Sequence, residues 1–304
     1  MDKGTQTKKT PKSKIIACIP AYNEENSIGP VVLKTLEHVD KVIVCDDGSD
    51  DLTSQIATIL GATVITHERN MGYGAAIRSL LAEALRLNAE IAVTLDGDGQ
   101  HDPADIPTLV NHMVASDSDI VIGSRFLKGS YHNAPSWREN GIRMITRLVS
   151  NPDTELTDAQ SGIRAYNGRA LESLVLTENG MGVSTEILLK AHEQGLSIHE
   201  VPVHVSYNKN SSTHNPIYHS VDVVMNTLKH MSINNPLKFY GVPGLISLGI
   251  SLIFWIWNIE VFTRTREIIT NPVIIAIGTT IVGLMLLTTA IILWVVVSIV
   301  REKS

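Results

Sequence analysis

The segment LDGDGQHDP, residues 95–103, places several oxygen and nitrogen donors directly after the apolar run 91–95. Asp96 and Asp98 lie two residues apart at the end of a predicted strand, so both carboxylates can reach one ion. Carboxylates suit hard cations such as Mg²⁺ or Mn²⁺, which are commonly shared with substrate phosphates. Gln100 can add a neutral oxygen. The segment therefore predicts a metal site for Mg²⁺ or Mn²⁺ at Asp96, Asp98 and Gln100.

The segment 95–103 allows two other interpretations. A calcium loop of the EF-hand type needs glycine at its sixth position and glutamate at its twelfth. The chain has His101 and Pro107 there, so we exclude that loop. A turn that uses aspartate and glycine only for backbone reasons remains an alternative.

The elements that would position these residues alternate between strand and helix. Strands are predicted at residues 15–20, 41–45, 63–66, 91–95 and 119–123, and helices near 27–39, 52–60, 75–88 and 107–115. This order predicts an α/β domain whose mostly parallel sheet is covered by helices on both faces. Ligands of such sheets bind beyond the carboxyl ends of the strands, where this chain is consistently polar. Beyond residue 125, helices at 136–150 and 183–194 and a β-like segment, SIHEVPVHVSY, are predicted.

Gly72 and Gly74, in NMGYGAAI, precede the third predicted helix. Glycines at a helix start allow a backbone to approach a phosphate or a sugar, although a plain tight turn explains them too. The third glycine of a dinucleotide-binding fingerprint is missing.

Net charge and cysteine content narrow the class of protein. The formal net charge is -6, which argues against a general nucleic-acid binder. The two cysteines, Cys18 and Cys45, fall inside predicted strands and are interpreted as reduced core residues.

The C-terminal third of the chain has a different composition. Residues 239–257 and 273–300 carry no charged side chain and are long enough to cross a bilayer, so they predict a transmembrane hairpin within residues 236–304. Residues 214–235 predict an amphipathic helix in the headgroup plane, with packing against its own domain as the alternative, and the lysine-rich residues 1–13 predict a disordered tail. No signal peptide is recognised, so the catalytic domain and both termini are expected on the cytoplasmic side of the cell membrane.

Seven segments occur in the order and spacing of a known family: IPAYNEENSIG, VCDDGSDD, RNMGYGAAI, LDGDGQHDP, GSRF, TDAQSGIRAY and IHEVPV. Together they resemble inverting family 2 glycosyltransferases of the GT-A fold, and in particular dolichyl-phosphate or polyprenyl-phosphate hexosyltransferases. The resemblance implies a GT-A domain over residues 14–213. It also implies a GDP-sugar or UDP-sugar donor, a polyprenyl or dolichyl phosphate acceptor, a lipid bilayer, and a lipid-linked sugar product used for glycan or protein glycosylation.

The resemblance also assigns roles to particular residues. It places Asp96 and Asp98 on the metal-binding D-x-D motif, with Gln100 as a further ligand, and Arg125 near phosphates. Asp158 and Glu186 sit on family positions, where an ion pair or a helix cap is as good an explanation as catalysis. The donor pocket would be lined by Pro20, Tyr22, Asn23, Glu24, Asp46 and Asp47, together with Gly72 and Gly74.

The predicted acceptor site departs from the family pattern. The chain has SYNKNSSTHNP after VPVHV, where dolichyl-phosphate mannosyltransferases usually carry an arginine, glycine, serine and lysine pattern. We expect Lys209 and the hydroxyls of Ser211 to Thr213 to take over phosphate binding. The basic residues expected at the acceptor phosphate are Arg138, Arg143 and Arg164, with a solvated helix face as the alternative for Arg138 and Arg143.

Lipid-phosphate glycosylation has three alternatives. A processive polysaccharide synthase would show a Q-x-x-R-W motif and more spans. A transferase with a non-lipid acceptor and an inactive scaffold that only binds nucleotide sugar remain the alternatives.

Overall fold

The computed structural model of the protein describes residues 14–132, 156–206 and 236–302, together with Glu139, Ile142, Arg143, Thr146 and Ser232. These residues fall into two compact units, one within residues 1–224 and one within residues 225–304. The predicted tail 1–13 and, apart from Ser232, the predicted amphipathic helix 214–235 lie outside the described residues. Most of the predicted helix 136–150 lies outside them as well.

The first unit is built on a seven-stranded sheet with strand order β3-β2-β1-β4-β7-β5-β8. Strand β7 is antiparallel to β4 and β5, and the remaining pairs are parallel. A parallel pair, β6 and β9, lies beside this sheet. The strands are β1 Ile15–Ala21, β2 Lys41–Asp46, β3 Thr63–Thr66, β4 Ile91–Thr94, β5 Ile120–Ser124, β6 Tyr131–His132, β7 Arg164–Asn167, β8 Ile198–Pro202 and β9 His204–Val205.

Helices cover both faces of the sheet, as predicted. Successive residues of a strand point to opposite faces, so Ile16 and Cys18 join one apolar cluster and Ala17 and Ile19 the other. Helices α3, α5 and α6 pack on the first cluster, and α1, α2 and α4 on the second. Their bounds are α1 Ile28–Leu36, α2 Thr53–Ile59, α3 Tyr73–Arg86, α4 Ile106–Ser116, α5 Gly168–Ser173 and α6 Val183–Glu193.

Both cysteines are core residues, as predicted. Cys18 and Cys45 are free thiols and are fully buried. Burial raises the pKa of each thiol to about 12, because the charged thiolate is poorly solvated there. A thiol with such a pKa is a poor nucleophile at neutral pH.

Strand β7 is the element that the sequence analysis missed. It lies between β4 and β5, with Thr94 opposite Arg164 and Ile122 opposite the same arginine. Its sequence, RAYN, lacks the β-branched residues that mark the other strands. The sheet is therefore mostly parallel with one antiparallel strand at its centre.

The second unit is a pair of long apolar helices, α7 Val242–Thr265 and α8 Thr270–Glu302, with a π-helical turn at Leu237–Gly241. Both are long and apolar enough to cross a membrane. A side chain at Gly244 would lie 3.1 Å from Leu287, and one at Gly283 would lie 2.7 Å from Leu248. The Ser251 hydroxyl donates to the carbonyl oxygen of Ala276 at 2.9 Å. Close approach at glycines and hydroxyl hydrogen bonds are typical of helix packing in lipid.

Candidate active site

The acidic pair Asp96 and Asp98 follows β4, at the carboxyl end of the parallel strands. Asp96 Oδ1 accepts a hydrogen bond from the Tyr73 hydroxyl at 2.9 Å, and Oδ2 lies 3.6 Å from His101 Nε2. Asp98 Oδ1 accepts from the backbone N–H of Gln100 at 2.9 Å. The structure thus brings the two predicted metal ligands to one place.

The two carboxylates titrate differently. Burial raises the pKa of Asp98 to about 7, and the neighbouring charge of Asp96 adds to this shift. Burial also acts on Asp96, but the hydrogen bonds from His101 and Tyr73 and the charge of Arg125 outweigh it and lower its pKa. Asp98 therefore sits where negative charge is unfavourable, and a cation bound between the two carboxylates would relieve that cost.

The residues present fit a divalent cation that is shared with a substrate. Within the described part of the chain, no group of three or more His, Cys, Asp or Glu side chains forms a metal-binding cluster. Mg²⁺ is usually held by one or two carboxylates plus substrate phosphates, which is what Asp96 and Asp98 offer. His101 is 6% exposed, and its Nδ1 has no hydrogen-bond partner among the described residues. A ligand role for the Gln100 side chain stays a prediction.

The loop after β1 is joined to the loop after β2. Asn23, whose φ of 55° is left-handed, accepts a hydrogen bond on Oδ1 from the backbone N–H of Asp50 at 3.0 Å. The backbone N–H of Asn23 donates to Ser49 Oγ at 2.9 Å, and Ser49 in turn donates to Asp46. The negative charge of Glu24 contributes to the raised pKa of Asp98, so this loop faces the acidic pair.

Pro20 and Tyr22 belong to the same region of the site. Pro20 is the sixth residue of β1 and is buried, and Tyr22 is partly buried directly beyond the end of that strand. Their contact with a donor stays a prediction.

The Asp47 carboxylate forms hydrogen bonds with other residues of the protein. Its carboxylate is 4% exposed and accepts from the backbone N–H groups of Met71 at 3.0 Å and Gly72 at 2.7 Å. His67 Nδ1 lies 2.6 Å from Asp47 Oδ1, and His67 Nε2 is 2.9 Å from Ser79 Oγ. Asp47 therefore fixes the loop between β3 and α3, while its predicted contact with base or ribose stays untested.

The structure shows what lies against Gly72 and Gly74, while their predicted place in the donor pocket stays untested. A side chain at Gly72 would lie 2.3 Å from the carbonyl oxygen of Asn179, and one at Gly74 would lie 2.3 Å from that of Glu178. The backbone N–H of Gly74 donates to the Asn179 carbonyl at 2.8 Å. The close approach that these glycines permit is thus to another loop of the same chain.

Arg125 and Asp158 form a buried ion pair. Arg125 Nε donates to Asp158 Oδ2 at 2.6 Å, and a terminal guanidinium nitrogen donates to Oδ1 at 2.7 Å. Asp158 is completely buried; burial raises its pKa, but the Arg125 charge and hydrogen bonds lower it overall. The charge of Arg125 also reaches Asp96, so this pair lies close to the candidate metal site.

Two glutamates stabilise loops near the site. Glu200 accepts from the backbone N–H groups of Thr157 and Asp158, both at 2.9 Å, and burial raises its pKa. Glu186 accepts from the backbone N–H of Thr177 at 2.9 Å and pairs with Lys190 at 2.8 Å. Glu186 therefore makes the ion pair that the sequence analysis gave as an alternative to catalysis.

Arg164 differs from its predicted position. It lies in the central strand β7, is 2% exposed, and donates to three backbone carbonyls, those of Ser161 at 2.9 Å, Ser184 at 3.1 Å and Ala159 at 2.8 Å. These hydrogen bonds use three of the five guanidinium N–H donors of Arg164 within the protein. The structure thus gives Arg164 an internal role, as an organiser of the segment 159–161.

The remaining predicted acceptor residues are only partly described. Arg143 pairs with Glu139 at 2.8 Å, and its guanidinium lies 4.7 Å from the centre of the Phe126 ring. Arg138, Lys209 and Ser211 lie outside the described residues. The backbone N–H of Ser206 donates to the Gln100 carbonyl at 2.9 Å, so the chain enters the segment 207–213 beside the acidic pair.

Sequence reasoning did not single out Tyr73, Gly162 or Glu200. Tyr73 and Gly162 contact Asp96 from different elements, and Glu200 supports the segment that carries Asp158. Gly162 and Glu200 lie inside TDAQSGIRAY and IHEVPV, so the motifs marked their segments but gave no reason for the individual residues.

Comparison with known proteins identifies the class of protein to which the chain belongs. The chain matches the family model described as glycosyl transferase family 2 over residues 16–175. It is 34% identical over 221 residues to the UDP-N-acetylglucosamine-dolichyl-phosphate N-acetylglucosaminyltransferase of Methanococcus voltae, covering 65% of this chain and 87% of that protein. It is also 34% identical over 189 residues to the dolichyl-phosphate hexose transferase of Haloferax volcanii, covering 60% and 78%.

Among solved structures, glucosyl-3-phosphoglycerate synthase from Mycobacterium tuberculosis, in complex with Mn²⁺, UDP-glucose and phosphoglyceric acid, superimposes with a TM-score of 0.59. The identity is 25%, and the match covers 71% of this chain and 79% of that one. The fold and the site thus define a sugar-transferring enzyme of the α/β class. The chain belongs to glycosyl transferase family 2 and is a glycosyltransferase.

Proposed function

We propose that this protein transfers a hexose from a nucleoside diphosphate sugar to polyprenyl or dolichyl phosphate, with inversion and with a divalent cation. The observation that carries the proposal is the Asp96 and Asp98 pair at the end of β4, where burial and the Asp96 charge raise the pKa of Asp98 to about 7. Relatives that are named dolichyl-phosphate transferases support the lipid acceptor, and a solved relative that holds Mn²⁺ with UDP-glucose supports the metal.

The chemistry follows from the residues around the acidic pair. Asp96 and Asp98 would hold Mg²⁺ or Mn²⁺, and the chemistry such an ion supplies is neutralisation of the charge that develops on the leaving diphosphate. Arg125, fixed by Asp158, adds positive charge near the same point. A lipid monophosphate is already an anion at neutral pH, so it attacks without the general base that a sugar hydroxyl requires.

The acceptor phosphate is assigned in this proposal to Arg138, Arg143, Lys209 and Ser211. Arg143 is partly exposed and stacks on Phe126, so its charge is available near the surface. Ser206, the last described residue before the segment 207–213, donates to the carbonyl of Gln100, two residues from Asp98. In this proposal the two apolar helices anchor the protein in the membrane, with the α/β domain and both termini on the cytoplasmic face.

The test uses the full chain in detergent with Mn²⁺ or Mg²⁺, a short polyprenyl phosphate, and GDP-mannose, UDP-glucose or UDP-N-acetylglucosamine in separate reactions. We expect a lipid-extractable product from one donor, only when the metal is present. A product that stays in the aqueous phase would contradict the lipid acceptor. The solved relative holds phosphoglyceric acid beside UDP-glucose, so an arm with 3-phosphoglycerate tests the second candidate, transfer to a small soluble phosphate.

Lys209→Ala tests the acceptor assignment. A lysine binds phosphate as a point charge, so its loss should raise the Michaelis constant for the lipid phosphate and leave that for the sugar nucleotide unchanged. The parent should also lose activity more steeply with added salt than the variant does. If the Michaelis constants for both substrates are unchanged, we would assign the acceptor phosphate to Arg138 and Arg143 instead.

A further inference from the structure

Asp96 is held from two sides. Its side chain is 29% exposed, yet Oδ1 accepts the Tyr73 hydroxyl at 2.9 Å. On the other side, a Cβ atom added to Gly162 would lie 2.1 Å from Asp96 Oδ2 and 2.6 Å from its Cγ. The carboxylate therefore occupies the space that any other residue at position 162 would need.

The neighbours of Asp96 are themselves rigidly placed. Tyr73 is the first residue of α3, and the start of this helix is fixed by the hydrogen bond from Gly74 N–H to the Asn179 carbonyl. The Gly162 carbonyl accepts from Thr94 Oγ1 at 3.0 Å, in the strand that leads to Asp96. Tyr73 thus acts from a helix, and Gly162 acts from a loop that is hydrogen-bonded to the sheet, which limits the movement of both.

Gly162 is not explained by backbone conformation. Its φ is outside the left-handed region, so an alanine can adopt the same backbone. The three atoms nearest to an added Cβ all belong to Asp96. The requirement for glycine at this position thus comes from the Asp96 carboxylate alone.

We propose that Tyr73 and Gly162 are positioning residues that fix the Asp96 carboxylate in its metal-binding orientation before the cation arrives. The proposal rests on the proposed function, because it takes Asp96 as a metal ligand. Groups that orient a ligand commonly change metal affinity or activity by about 10 to 100 fold when they are replaced. Tyr73 holds one oxygen by a hydrogen bond, and Gly162 leaves room for the other.

The experiment measures Mn²⁺ binding to the full chain in detergent, by the electron paramagnetic resonance signal of free Mn²⁺, with and without UDP or GDP. Gly162→Ala should weaken Mn²⁺ binding by about 10 to 100 fold, and Tyr73→Phe by about tenfold, since the ring remains and only the hydroxyl is lost. Gly168→Ala is the matched control: a Cβ there meets no atom within 4 Å, so Mn²⁺ binding should equal that of the parent.

Mn²⁺ dissociation constants of both variants that equal the parent value would overturn the clamp, whatever happens to their thermal stability. Should Gly162→Ala fail to fold, Tyr73→Phe decides alone, because its packing is preserved. A parent that binds no Mn²⁺ would overturn the metal in the proposed function and the clamp together. A parent that binds while both variants are unaffected would overturn the clamp only.

Discussion

The α/β domain carries two acidic pairs at the carboxyl ends of β2 and β4, and they are used in opposite ways. Asp46 accepts from the backbone N–H of Ser49 at 3.1 Å, and Asp47 accepts from two backbone N–H groups and contacts His67. Asp98, by contrast, accepts one hydrogen bond among the described residues. A carboxylate whose oxygens accept hydrogen bonds from the main chain holds a loop, whereas a partly buried one with few partners is suited to bind a cation.

Asp158 has a structural role in the buried ion pair with Arg125, and its replacement should have the largest effect of the changes predicted below. Asp158→Asn leaves the buried Arg125 without its counter-ion, so we expect a loss of about 3 to 5 kcal/mol in the free energy of unfolding. Urea denaturation measures it. The control is Arg169→Ala, which removes the exposed partner of the Arg169–Asp119 pair and should cost about 1 kcal/mol or less. Equal losses in both variants would contradict the buried pair.

Asp98→Ala should lower the activity and leave the stability of the protein unchanged. Loss of a metal ligand that acts on transition-state charge should cost about 2.7 to 4 kcal/mol, a fall of about 100 to 1,000 fold in kcat. Stability should not fall, because the carboxylate is in an unfavourable site. Asp102→Ala, in the same segment, is the control and should keep its activity. Substantial residual transfer by Asp98→Ala would remove this residue from the site.

Asp47→Asn should mainly affect stability. An amide cannot accept all the hydrogen bonds that the carboxylate does, so one buried donor is left unpaired at a cost of about 1 to 3 kcal/mol. Chemical denaturation and nucleotide binding, measured on the same variant, separate the two roles. Unchanged stability with weakened nucleotide binding would show that Asp47 faces the donor.

The smallest expected effect is on the acid stability of the domain. The pKa of Asp158 is lowered in the folded state, so its contribution is present above the unfolded pKa of about 3.9 and is lost as pH falls through the folded value. The parent should therefore lose more stability than Asp158→Asn on acidification below about pH 4. Glu200 has a raised pKa and acts in the opposite sense at higher pH, which confines the comparison to that acid range. If the stability of both proteins falls equally as the pH decreases, the assignment of a lowered pKa to Asp158 would be contradicted.

The sequence predicted the order along the chain of β1 to β5 and of α1 to α4, the burial of both cysteines and the place of the acidic pair. These features follow from local patterns: apolar alternation, and polar residues at strand ends. The central strand β7 could not be predicted, because RAYN gains its strand character only from pairing with β4 and β5. The Arg125–Asp158 pair joins residues that are distant in sequence, and the burial of Arg164 depends on β7.

The inserted strand β7 has a consequence for synthesis of the chain. Thr94 pairs with Arg164, so 164 − 94 = 70 residues must follow β4 before its partner exists. At roughly 5 to 20 residues per second, translation of that interval takes about 4 to 14 s. During this time one edge of β4 presents unpaired N–H and C=O groups, which are a template for aggregation. The order of synthesis therefore leaves this edge of β4 open until β7 is made.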